Sequence, residues 1–193
     1  MFTENLFCKD GKLIEGLKLI THEVLYDERG LFVENWNKLK FEKVIGDSLN
    51  FFQLNQSRSL KGVLRGLHFQ LEPESQGKLV KCLSGKIFDA VVDIRSKSKT
   101  FASWVGVELS EEKHQSLWVP PGFAHGFFTL SDYADIQYLV TKKWNKDLER
   151  CIVWNDEDIG IEWPLKNDLP LISAKDASGM TLSKANLSGN IFK

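Results

Sequence analysis

The chain has 193 residues and carries 25 Lys and Arg against 26 Asp and Glu, a formal net charge of −1. That balance argues against a general nucleic-acid binder and against a polybasic membrane-surface protein, while leaving room for a local basic pocket around a small anion. Hydrophobic residues at 42% and charged residues at 26% describe a folded domain rather than a disordered chain.

The length predicts a single domain over residues 1 to 193, with a core large enough to need no disulfide. No run of residues reaches the 18 or more apolar positions of a membrane span, and Met1 to Leu6 lacks the basic start and apolar run of a secretory signal. Cys8, Cys82 and Cys151 are odd in number, widely spaced and without a C-x-x-C pair. Reduced thiols in a cytoplasmic protein are the expectation.

In chain order, residues 24 to 35 read as strand-like. Residues 36 to 45 (WNKLKFEKVI) read as a helix with Phe41, Val44 and Ile45 on one side and Gly46 as its stop. Residues 51 to 57 and 62 to 70 are again strand-like. Residues 86 to 95 (KIFDAVVDIR) alternate clearly. Phe88, Ala90, Val92 and Ile94 form an apolar face for a core. Ile87, Asp89, Val91, Asp93 and Arg95 form a mixed face that could line a pocket. Further strands are expected at 101 to 109, 115 to 120, 124 to 130, 134 to 142 and 150 to 154. Ser110 caps a single turn, and Ser173-Ala-Lys-Asp176 has capping-box spacing. The polar tail after Met180 is expected to be loosely held. Many short strands with frequent turn signals predict an all-β sandwich or jelly-roll barrel with few helices.

Five constellations could carry chemistry. In Arg65-Gly66-Leu67-His68-Phe69-Gln70, strict alternation puts Arg65 and His68 on opposite faces, and a bulge at Gly66 would bring them into one pocket. The alternative is a half-exposed strand with a structural His. In Gln76-Gly77-Lys78, Lys78 matters only if it faces the same cavity as His68; otherwise it marks a solvated strand end. Pro120-Pro121-Gly122-Phe123-Ala124-His125 turns sharply and delivers His125 at a strand start, which resembles the second cupin motif. The companion H-x-H of metal-binding cupins is missing, because Phe69 and Gln70 follow His68, so a cupin-like barrel without a required metal is expected. His125 is then either a hydrogen-bonded structural imidazole or a group behind the site paired with a carboxylate such as Asp89. Tyr138 is either a core Tyr or a general acid. Asp176 either caps a turn or orients a catalytic imidazole.

Taken together, these strings resemble the dTDP-4-dehydrorhamnose 3,5-epimerase family over about residues 20 to 178. The matching segments are Asp27-Glu28-Arg29-Gly30 with Phe32 and Glu34, Val63 to Gln70, Gln76 to Val80, Phe88 to Arg95, Pro121 to Phe127, Gly160-Ile161-Glu162-Trp163-Pro164, and Leu171 to Asp176. Their order and spacing carry the signal more than any one of them.

The resemblance implies a cupin-like jelly-roll with a core barrel at about 20 to 165, an N-terminal arm at about 1 to 35 and a C-terminal segment at about 166 to 193. It implies inversion of C3 and C5 on a nucleotide-linked 4-keto-6-deoxy sugar by proton removal and return next to the ketone, with no cofactor and no metal. In those terms His68 is the base, Asp176 its orienting partner, Lys78 the enolate stabiliser and Tyr138 the acid. Arg29, Phe32, Glu34, Gln53, Asn55, Arg65, His125 and Lys175 are implied as substrate-binding. The strand with Arg29, Phe32 and Glu34 is implied to cross to a partner in a homodimer. Leu139 and Lys143-Trp144 depart from the family pattern of a Lys and a Tyr-Tyr pair. The competing expectations are a mono-epimerase, another nucleotide-sugar epimerase, a 3,4-ketoisomerase, a metal-dependent cupin dioxygenase and a non-catalytic sugar-binding cupin.

Overall fold

Period-two patterning dominates the chain, and in the computed structural model it resolves into strands arranged as two antiparallel sheets. The structure describes residues 1–166 and 168–193. In chain order the elements are β1 (Phe2–Phe7), β2 (Leu13–Thr21), β3 (Val24–Asp27), β4 (Gly30–Val33), α1 (Lys38–Ile45), β5 (Gln53–Leu60), β6 (Leu64–Gln70) and β7 (Lys78–Ser84). They continue with β8 (Lys86–Asp93), β9 (Trp104–Ser110), β10 (Gln115–Val119), β11 (Phe123–Thr129), β12 (Tyr133–Val140), β13 (Glu149–Cys151), α2 (Ala174–Ala177) and α3 (Leu182–Leu187). The larger sheet runs β1-β2-β10-β7-β12-β5, the smaller β13-β6-β11-β8-β9, and β3-β4 form a separate hairpin.

The two sheets face each other across one apolar layer. Leu17 and Leu19 of β2, Val80 of β7, Leu117 of β10 and Ile136 of β12 meet Ile87 and Val91 of β8, Leu109 of β9 and Phe127 of β11. The mixed face of residues 86 to 95 is therefore the interior one, and Asp89 and Asp93 are fully buried in it. The wholly apolar face packs outward. Ala90, Val92 and Ile94 lie beneath Ile159, Trp163, Leu182 and Ile191 of the C-terminal segment. On the far side of the larger sheet, Phe41 of α1 packs edge-on to Trp118, with ring centroids 5.2 Å apart. Helix α1 starts at Asn37, whose side chain accepts from the Lys40 N–H, and ends at Gly46 with φ 78°.

Three expectations change. Residues 24 to 35 form a hairpin rather than one strand, because Asp27 Oδ1 accepts from the Arg29 N–H at 2.8 Å and Gly30 takes φ 126°. Strands β1 and β2 have no counterpart among the expected elements. In β2 the buried positions Ile14, Leu17 and Leu19 break parity around Gly16, and that break hides the strand from a period-two reading. The tail after Met180 is not loose. Leu182 and Ala185 of α3 are buried, and the Leu182 N–H donates to Asp156 Oδ2 at 2.7 Å.

The close crossing of β6 and β11 allows no larger residue. Gly66 sits at φ 121°, and a Cβ there would lie 2.6 Å from Gly126 Cα and 2.7 Å from the His125 carbonyl oxygen. Gly66→Ala should therefore cost about 3 kcal/mol or more, read as a lowered urea midpoint. A midpoint within error of the parent would show that β6 and β11 can separate freely here.

Candidate active site

Strand β6 presents Arg65 and His68 to the same interior. In the β6–β11 ladder His68 stands opposite His125 and Arg65 opposite Phe127, so Gly66 and Leu67 together face Gly126. This is the bulge that the sequence left open. It cancels the parity difference between Arg65 and His68, while Leu64, Leu67 and Phe69 stay in the outer apolar layer.

Asp176 reaches His68 from the C-terminal segment. That segment is tied down on both sides of it: Leu171 exchanges backbone hydrogen bonds with Gly62 and Leu64, and Met180 with Cys151 and Val153. Between these ties Ser173 caps α2, its hydroxyl accepting from the Asp176 N–H at 3.1 Å. The Asp176 side chain is buried. Its Oδ1 lies 2.7 Å from His68 Nε2, and its Oδ2 accepts from the Gly66 N–H at 3.2 Å. Burial works against its charge, yet hydrogen bonds from His68, Gly66 and Ser173 hold the carboxyl below the usual range. A carboxylate at Nε2 keeps the proton there, which leaves the lone pair on His68 Nδ1.

Lys78, Tyr138 and His125 enter the same interior from three other strands. The Lys78 ammonium donates to the His68 carbonyl at 3.1 Å, and burial pushes its pKa down to about 8 against the attraction of Glu149 and Asp89. Tyr138 stands opposite Asn55 on one side and Val80 on the other. Its hydroxyl lies 3.1 Å from Ser57 Oγ, and burial raises its pKa, with Asp89 adding and Ser57 and Arg65 opposing. His125 Nε2 lies 2.9 and 3.0 Å from the two Asp89 oxygens, both residues being almost wholly buried. The expected pairing of His125 with Asp89 is present, a hydrogen bond that both readings of His125 share, and its ring stands edge-on to Tyr138 at 6.4 Å.

The inward positions of β5 add polar groups: Gln53, Asn55, Ser57 and Ser59 alternate with exposed Leu54, Gln56, Arg58 and Leu60. Gln53 donates to Asn55 Oδ1 at 2.7 Å and accepts from the Trp144 N–H at 3.1 Å. Arg65 Nε donates to Ser59 Oγ at 2.9 Å and its Nη2 to the Arg58 carbonyl at 3.4 Å, and the residue is exposed. Lys175 pairs with Glu149 at 2.6 Å. Arg29, Phe32 and Glu34 are not brought to this interior: Arg29 and Phe32 lie on the β3–β4 hairpin, where Arg29 pairs with Asp27, and Glu34 follows β4 and pairs with Lys40 of α1.

Sequence reasoning missed Ser57, Glu149 and Cys151. Glu149 and Cys151 arrive only through the pairing of β13 with β6, which sets Glu149 opposite Gln70 and Cys151 opposite His68. A strand was expected at 150 to 154, but nothing local in it names β6 as its partner. A His68 ring nitrogen, the Cys151 sulfur and an Asp176 oxygen lie within 4.8 Å of one another, a donor set that could hold a metal ion.

An imidazole oriented by a buried carboxylate, a desolvated ammonium and a phenol on neighbouring strands are groups of the kind proton transfer next to a carbonyl requires. Comparison with known proteins agrees with that chemistry. The family model described as dTDP-4-dehydrorhamnose 3,5-epimerase matches residues 12–184. The chain belongs to this family. A dTDP-4-dehydrorhamnose 3,5-epimerase of Salmonella typhimurium is 51% identical over 174 residues, 90% of this chain and 94% of that protein. The crystal structure of a dTDP-6-deoxy-D-glucose-3,5-epimerase from Legionella pneumophila, in complex with dTDP-4-keto-L-rhamnose, superposes with a TM-score of 0.91 at 40% identity. That match covers 100% of this chain and 98% of the other. The epimerase of Mycobacterium tuberculosis gives a TM-score of 0.94 at 36% identity, over 100% and 94% of the two chains. The fold is therefore the cupin-like jelly-roll of these epimerases.

Lys78 could stabilise a developing enolate only while charged, so its depressed pKa sets a direction. Activity that depends on it is present below about pH 8 and is lost as pH rises through that value. The kcat/KM profile should show this descending limb. Lys78→Arg, which stays charged, should remove the limb whatever its absolute rate. A limb unmoved in Lys78→Arg would belong to another group.

Proposed function

We propose that the chain inverts C3 and C5 of dTDP-4-dehydro-6-deoxy-D-glucose to give dTDP-4-dehydro-L-rhamnose. His68 Nδ1 removes the proton next to the C4 ketone, and the electron pair moves onto the C4 oxygen as an enolate. The Lys78 ammonium stabilises that oxygen in a cavity where its charge is poorly screened. The Tyr138 hydroxyl returns a proton to the opposite face of the carbon, and solvent restores Tyr138 and His68 before the second carbon reacts. Asp176 keeps His68 in the tautomer that exposes Nδ1 and stabilises the imidazolium as it forms. Only protons move, so the reaction needs no redox cofactor and no metal.

The observation that carries this reading is the 2.7 Å contact of His68 Nε2 with buried Asp176, with Lys78 held against the same residue's carbonyl. Gln53, Asn55 and Arg65 line the approach and suit a nucleotide diphosphate, Arg65 through a partly free guanidinium. The hairpin residues Leu25, Tyr26, Leu31 and Phe32 are 58%, 72%, 54% and 66% exposed on a ribbon that joins neither sheet. That exposure supports a homodimer in which Arg29, Phe32 and Glu34 complete the site of a second copy. The three free, buried cysteines suit the reducing cytoplasm. No helix among the described residues is long and apolar enough to cross a membrane.

Incubation with dTDP-4-dehydro-6-deoxy-D-glucose in heavy water should place deuterium at both C3 and C5 of the product. Label at one carbon would overturn the double inversion, and a 3-keto product would make the protein a ketoisomerase. His68→Asn should lower kcat by about 100-fold or more while dTDP still binds. Tyr138→Phe should allow deuterium exchange to continue while inverted product falls, because the base side stays intact. Equal loss of exchange and inversion would take Tyr138 out of the acid's role.

A further inference from the structure

We infer that His68, Cys151 and Asp176 form a latent site for a soft divalent cation such as zinc, and that its occupancy silences the base. Pairing of β13 with β6 sets Cys151 directly opposite His68. Side chains so paired leave the same face of the ladder. The sulfur, a His68 ring nitrogen and an Asp176 oxygen then cluster within 4.8 Å.

Imidazole nitrogen, thiolate sulfur and carboxylate oxygen are donors zinc takes, at about 2.0 to 2.3 Å. Around a tetrahedral ion with those bond lengths the donors stand about 3.2 to 3.7 Å apart. The His68–Asp176 contact, now 2.7 Å, has only to open modestly, and transfer of the Nε2 proton through solvent to Nδ1 permits that while keeping the imidazole neutral. Charge also suits the place. A divalent cation, one thiolate, one carboxylate and a neutral imidazole sum to zero, so the filled site carries no net charge into a buried position. Three protein donors leave a fourth position open toward the cavity, and half-buried His68 gives the ion its way in.

Among the described residues the Cys151 thiol makes one hydrogen bond, a long 3.5 Å contact to the Ile152 carbonyl. On binding, a metal–sulfur bond forms, the S–H bond breaks and its proton leaves to solvent. The hydrogen bond between His68 and Asp176 gives way to metal ligation. The imidazole can no longer be set for proton abstraction.

Cobalt(II) titrated into substrate-free protein is the direct probe, and it requires no turnover, so its outcome is independent of the epimerase reading. One equivalent should raise a thiolate-to-cobalt absorption in the near ultraviolet that zinc displaces. Cys151→Ala and Cys151→Ser, each checked for folding by circular dichroism, should both lack it. Survival of the band in a folded variant would move the thiolate to Cys8 or Cys82 and overturn the site, as would no band in the parent. In turnover assays, zinc should inhibit the parent reversibly, with activity restored by EDTA. Either variant should tolerate about tenfold more zinc or better, each measured against its own metal-free rate. Equal sensitivity would place zinc on the substrate diphosphate and overturn the regulatory claim.

Discussion

The approach of β6 to β11 at the paired glycines governs the site. With a Cβ at Gly66 the two backbones could not lie this close, and the extra residue on β6 could not be absorbed. The bulge then lets one strand show an apolar face to the C-terminal segment and deliver both Arg65 and His68 inward. It also aims the Gly66 N–H at Asp176. One local irregularity thus fixes the position of the His68 imidazole, helps hold its carboxylate and sets the Arg65 guanidinium beside Ser59. A regular strand could do no more than one of these.

Burial supplies the chemistry that geometry alone does not. Lys78 and Tyr138 sit among the apolar residues of the inner layer and are both pushed toward their neutral forms. A charged ammonium in such a place has few waters to satisfy it, so an enolate oxygen becomes a favoured partner. Asp89 and His125 form a second buried carboxylate–imidazole pair behind Tyr138. Its reach is electrostatic, since Asp89 raises the Tyr138 pKa while supporting the charge on Lys78. Two carboxylate–imidazole pairs thus serve one cavity. His68 is half-buried, whereas His125 is almost fully enclosed.

Much of this was legible in the sequence because strand parity is a strong local signal. Alternation in residues 86 to 95 separated the two faces of β8, and the S-x-x-D spacing placed Asp176 at a helix start. Parity failed where a glycine broke it. Gly16 concealed β2 and Gly30 folded an expected strand into a hairpin, although the break at Gly66 was anticipated. Long-range ties had no sequence signal at all. Nothing local in Glu149-Arg150-Cys151 says that it will lie against β6, and the polar surface of the tail hid the apolar contacts of Leu182 and Ala185. The roles of His68, Lys78, Tyr138 and Asp176 were suggested by resemblance to a family. The structure supplies the distances that make those roles physically reasonable.

The tail has a consequence beyond packing. Asp176 meets His68 across 108 positions of the chain, and the segment carrying it is stitched to the smaller sheet by Leu171 and Met180. The same segment also covers the apolar outer face of β8, so one stretch of chain both seals the smaller sheet and orients the His68 imidazole. Loosening of that seal would therefore be felt at the imidazole as a lost hydrogen-bond partner, which couples the solidity of the smaller sheet to the orientation of one ring.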